Sequence, residues 1–134
     1  MNRTLERLVW QRARSRCEYC RMHQDHDALT FELDHIIASS HGGRTRAENL
    51  ALACFLDNSY KGTNLAGIDP KTKRVVRLFH ARRDQWHHHF RWRGPVLQGR
   101  TAIGRATVAV LRMNLPHRVA QRAALIEEGV FPPE

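Results

Sequence analysis

Residues 17–62 read CEYCRMHQDHDALTFELDHIIASSHGGRTRAENLALACFLDNSYKG, and the fold turns on how this stretch is divided. Residues 29–37 are rich in strand formers and partly alternate, which predicts a strand that brings Asp34 and His35 to its end. Residues 39–45 contain Gly42-Gly43 between serines and arginines, a loop by composition. The apolar run 50–55 predicts a second strand, and residues 58–61 a short helix that Gly62 stops. The order is therefore strand, loop, strand, helix, with the pair Cys17-x-x-Cys20 in front of it.

Outward from this block the pattern becomes helical on both sides. Residues 4–15 place Leu5, Leu8, Val9 and Ala13 on one helical face and arginines over much of the rest. Residues 21–28 are a polar loop. Residues 64–72 have turn chemistry at Gly67 and Asp69-Pro70. Residues 75–79 and 89–93 read as strands, and Gly94-Pro95 turns the second toward a hairpin partner at 96–99. Residues 102–113 predict a buried helix. A last helix over 114–128 has Pro116 near its start and Gly129 past its end. With no internal repeat and no linker, the expectation is one α+β domain over 1–134, with a core at about 17–62 and a helical extension at about 101–134.

The 134 residues carry 22 Lys+Arg against 13 Asp+Glu, a formal charge of +9, and 19 of those cations are arginine. Guanidinium suits bidentate contact with phosphate, so the balance points to a polyanion, most simply nucleic acid. Hydrophobic residues make up 42%, enough for a core, which excludes a disordered basic tail. No apolar run is long enough to span a bilayer, and no apolar signal segment follows the first residues, so no membrane partner and a cytoplasmic location are expected. The 3 cysteines are too few for a disulfide scaffold and suit metal ligands or buried thiols. A redox role for Cys17-x-x-Cys20 lacks the βαβ context it needs.

At the frayed end of a strand, a carboxylate such as Asp34 can hold a hard cation while the neighbouring imidazole of His35 faces water. Imidazole is the natural general base near neutrality. Asn58 can add a second oxygen ligand for magnesium, and Asn49 can fix the loop beside the histidine by bonding backbone groups.

The string Cys17-x-x-Cys20 … Leu33-Asp34-His35-Ile36 … Gly42-Gly43 … Glu48-Asn49-Leu50 … Cys54-x-x-Asp57-Asn58-x-x-Lys61-Gly62 resembles the HNH endonuclease family, over about a third of the chain. Thr63 to Pro70 and Leu78-Phe79-His80 resemble small bacterial members less specifically. The resemblance implies a ββα-metal (His-Me finger) core whose first strand carries Asp34-His35 and whose helix Asn58 opens. It implies His35 as general base, Asn49 as the loop-stabilising central residue, and Asp34 with Asn58 holding one divalent ion, Mg2+ or another such as Mn2+. It also implies cleavage of DNA that leaves 5′-phosphate and 3′-hydroxyl ends; a single active site acts on one strand, so a monomer should nick, and a double-strand break needs a homodimer or two successive nicks. The rival reading is a catalytically inactive, zinc-stabilised nucleic-acid-binding module.

Zinc-bearing members close a tetrahedral site with two Cys-x-x-Cys knuckles. Here the second knuckle reads Cys54-Phe55-Leu56-Asp57, so three alternatives stand. Asp57 completes a Cys17, Cys20, Cys54 zinc site; His23 or His26 does; or zinc is lost and the thiols simply pack. Phosphate contacts are expected from Lys61, Arg44, Arg46, Arg82, Arg83 and His41, with Arg91 and Arg93 as further candidates. His87-His88-His89 is expected to be exposed, His80 either to assist catalysis or to cap a strand, and Trp86 and Trp92 to pack.

Overall fold

The computed structural model describes residues 1–133, which mix five α-helices with three two-stranded antiparallel sheets. The chain divides into two compact units. The first comprises Met1–Asn64 with His80–Arg83, and the second Leu65–Phe79 with Asp84–Glu134. No helix among the described residues is long and apolar enough to cross a membrane.

In the first unit, α1 (Arg3–Ala13) starts at Asn2, whose side chain accepts from the Leu5 amide at 2.7 Å. This bond satisfies one of the amides that a helix start leaves free. Val9 is the fully buried residue of that helix. Arg12, in its last turn, sends one guanidinium nitrogen to the carbonyls of Ala47 (2.7 Å) and Leu50 (2.6 Å), tying the helix to the entry of the strand that starts at Leu50. β1 (Glu32–His35) pairs with β2 (Leu50–Ala53) in the register Glu32↔Ala53 to His35↔Leu50. All four residues of β2 are buried, which is why its sequence is apolar without alternation. β1 is shorter than residues 29–37: it starts at Glu32 and ends at His35, and beyond it the Ile36 amide still donates to the Asn49 carbonyl at 2.8 Å.

That loop runs through two single 3-10 turns, Ser39–His41 and Ala47–Asn49. Gly42 has φ +84°, and a Cβ on Gly43 would collide with the Ile37 carbonyl, so both glycines are required by the path of the chain. α2 (Phe55–Lys61) corrects the sequence expectation: Cys54 caps it, its sulfur accepting from the Asp57 amide. The second strand therefore stops at Ala53, and Asn58 lies within the helix instead of opening it.

The second unit opens with β3 (Ala66–Ile68), in a segment whose composition predicts only turns, paired with β4 (Val75–Arg77). A one-turn helix α3 (Trp86–His89) precedes β5 (Phe90–Arg93), which pairs with β6 (Val96–Gly99). α4 (Ala102–Val110) is capped by Thr101, and α5 (Pro116–Glu127) starts at its proline. The core includes Phe79, Trp86, Phe90, Leu97, Leu111 and Met113. Buried Arg122 donates to the carbonyls of Pro95 (2.7 Å) and Met113 (2.9 Å) and lies 5.3 Å over the Trp92 ring. Two expectations are adjusted here. His87 and His88 are exposed, but His89 is buried with Nδ1 at 2.6 Å from Thr101 Oγ1, because it ends α3 facing the core. Buried Trp86 and half-buried Trp92 pack against one another at 5.8 Å, as expected.

Candidate active site and metal centre

The turn after α1 delivers Cys17 and Cys20, and the start of α2 delivers Cys54 and Asp57. All four are buried, and their ligand atoms lie within 4.8 Å of one another. Cys20 Sγ and Cys54 Sγ are 3.9 Å apart, and Cys17 Sγ lies 3.2 Å from Asp57 Oδ2. Tetrahedral zinc with sulfur at about 2.3 Å would set its thiolates about 3.8 Å apart. The donor set and its spacing therefore suit a metal ion such as zinc. Burial first, then hydrogen bonds to Cys20 and Cys54, push the Cys17 thiol well up. A bound cation reverses that by taking the thiolate form. Of the candidate fourth residues, Asp57 is the one grouped with the three thiols. His23 and His26 stand outside the cluster, His23 Nδ1 accepting from the Asp25 amide at 3.0 Å.

A second buried cluster lies where β1 meets α2. Asp34 Oδ1 accepts from Lys61 Nζ at 3.1 Å and Oδ2 from the Tyr19 hydroxyl at 2.6 Å. Lys61 Nζ also donates to the carbonyls of His35 (3.2 Å) and Ile36 (3.1 Å). Asp34 is 4% exposed and Lys61 2%. Burial raises the Asp34 carboxyl, opposed by the Lys61 charge and the Tyr19 bond. This corrects the expectation for Lys61: the ammonium is committed inside the fold and is not a phosphate contact.

His35, next in the strand, is half-buried. Its Nε2 lies 2.8 Å from Thr45 Oγ1. Asn49 pins the intervening loop, its Oδ1 accepting from Ile37 N (2.9 Å) and its Nδ2 donating to Ile37 O (3.0 Å) and Arg44 O (2.8 Å). Asn58 is half-buried on α2, and its side chain has no hydrogen-bond partner among the described residues. Carboxylate and amide oxygens are the right donors for a hard cation, and each Asp34 oxygen keeps a second lone pair. Such an ion would share Asp34 with Lys61.

Arg82 is also corrected. It is ion-paired with Glu18, whose other oxygen accepts from the Leu52 amide at 2.9 Å. Burial, then the charge of Arg12, lowers the Arg82 guanidinium to about 10. His80 Nδ1 accepts from the amides of Arg82 and Arg83, so it caps that turn. Arg44, Arg46, Arg83 and His41 are exposed, with Arg46 loosely paired to Glu48 at 3.9 Å.

Sequence reasoning passes over Thr45 and Tyr19. Thr45 sits in a loop whose path no spacing rule gives, whereas Tyr19 had a signal, an aromatic hydroxyl set between two buried cysteines.

Residues 17–64 match the HNH endonuclease family model. No curated protein and no solved structure matches the chain. The HNH segment contains both clusters, the strand pair and α2. It points to nuclease activity at the level of the family, whose members use divalent metals and act on DNA.

Proposed function

We propose that the chain is a metal-dependent HNH endonuclease that nicks DNA, leaving 5′-phosphate and 3′-hydroxyl ends. The observation that carries this reading is the set His35, Thr45 and Asn49. A half-buried imidazole has one ring nitrogen engaged by a hydroxyl, and the loop behind it is held by three side-chain hydrogen bonds. His35 is the general base, taking the proton of the attacking water at the ring nitrogen left free, Nδ1. Thr45 fixes the ring orientation, and Asn49 fixes the loop that carries Thr45. Asp34 and Asn58 would hold the divalent ion, which when bound supplies positive charge to the phosphate and to the leaving 3′ oxygen. Exposed Arg44, Arg46, Arg83 and His41 supply phosphate contacts that position the strand.

The Cys17, Cys20, Cys54 and Asp57 cluster is proposed as a structural zinc site. It ties the turn after α1 to the start of α2, and so fixes the helix that carries Asn58 and Lys61.

One observation favours the inactive binding module: Asp34 is already neutralised by Lys61. Relaxation of supercoiled plasmid by the purified chain, with Mg2+ or Mn2+ against EDTA, separates the two. Binding without cleavage under every metal supports the module.

A further inference from the structure

The β3–β4 hairpin carries three cations whose side chains have no partner among the described residues. Asp69, just past β3, is fully buried. Its Oδ1 accepts from the Lys71 amide (3.0 Å) and Arg105 Nε (2.9 Å), and its Oδ2 from Thr72 Oγ1 (2.8 Å) and Arg105 Nη2 (2.9 Å). The backbone closes the turn, Lys73 N donating to Asp69 O (2.8 Å) and Asp69 N to Arg74 O (2.9 Å). The tip is thus preformed, and Arg105 cancels its one carboxylate. Arg77, at the far end of the hairpin, is bound to Asp84 by two hydrogen bonds. Lys71, Lys73 and Arg74 remain, all exposed, their side chains without a partner among the described residues.

Lys73 stands at φ +65°, the left-handed region where glycine is the favoured residue. A cation is kept at the one tip position where backbone conformation argues most against it. On one face of the hairpin Ile68 and Val75 pair across the strands, 50% and 70% exposed.

We infer that this hairpin is a contact for duplex DNA, a reading that rests on the nucleic-acid function proposed above. Lys71, Lys73 and Arg74 bind backbone phosphates, and Ile68 with Val75 lies along the groove wall. A two-stranded ribbon fits the major groove. A tip held by Asp69 gives up little conformational freedom on binding. An anionic bilayer would offer the same charge, but its usual interfacial anchor is an amphipathic helix with a continuous apolar face, not a narrow ribbon with a basic tip.

The test is fluorescence anisotropy of a labelled duplex titrated with the full chain across a salt series. Each phosphate contact contributes about 0.9 to the slope of log affinity against log salt. The triple variant Lys71→Ser, Lys73→Gly, Arg74→Ser should lose about 2.7 of that slope and bind at least about ten-fold more weakly. Lys73→Gly alone should lose about 0.9 while melting no lower than the parent, because the strained residue is gone. An unchanged slope in the triple variant overturns the inference. So does a variant that loses binding to phosphatidylserine vesicles but keeps its DNA affinity. A parent that nicks plasmid normally while the triple variant binds unchanged leaves the nuclease reading standing without the hairpin. Hairpin-dependent binding with no cleavage under any metal does the reverse, and a parent that binds no duplex overturns both.

Discussion

Cys17 and Asp57 lie 40 positions apart in the chain and 3.2 Å apart at Sγ and Oδ2. A buried carboxylate beside three buried thiols is a costly arrangement without a cation, so the purified protein should carry about one zinc per chain. Asp57→Ala should lose it, and Asp57→Cys should hold it more tightly, thiolate being the softer ligand. Metal analysis together with thermal melts before and after chelation checks both. Full occupancy in Asp57→Ala would remove Asp57 from the site.

Lys61 and Asp34 form a buried ion pair, their side chains 2% and 4% exposed. Lys61→Met leaves the carboxylate buried without its cation and should cost about 3–5 kcal/mol in urea unfolding. The double variant Lys61→Met, Asp34→Asn should recover part of that loss. A loss under about 1 kcal/mol would mean that the pair is solvent-screened.

Asn49→Ala removes the three bonds that hold the loop behind His35. Stability should fall by about 1–3 kcal/mol, because loop amide and carbonyl groups lose their partners. The nicking rate measured well below the melting temperature should fall about 100-fold through misplacement of the loop. An unchanged rate would take Asn49 out of the positioning role.

The architecture around 17–62 was legible because its signals are local: a β-forming run, a Gly-Gly loop, an apolar run and a glycine stop. The four buried residues were legible as a pattern, yet that Asp57, and not His23 or His26, lies beside the three thiols needed the fold, since sequence distance does not order them. Lys61 and Arg82 could not be placed from the sequence. A cation reads the same whether it meets phosphate or a buried carboxylate, and Asp34 and Glu18 lie 27 and 64 positions away. β3 was hidden because Gly67, its central residue, and Asp69-Pro70, just past its end, both carry turn signals.

Hydrogen bonds from Arg105 hold the Asp69 carboxyl well below the ordinary carboxylate range. Burial opposes this, and the Lys71 amide and Thr72 hydroxyl assist. Because the folded value is the lower one, the stabilisation is complete above the unfolded value of about 3.9 and is lost as pH falls from there toward the folded value. Melting temperature followed from neutral to acid pH should fall on that limb in the parent. In Asp69→Asn it should start lower and fall less. An equally steep acid limb in the variant would assign the titration elsewhere.

Whether His35 deprotonates the attacking water is read from a plasmid nicking time course with His35→Ala beside the parent. The parent should nick with Mg2+ and stop with EDTA, and His35→Ala should be slower by about 10²–10⁴-fold at equal DNA affinity. A His35→Ala protein that nicks as fast as the parent would contradict the account.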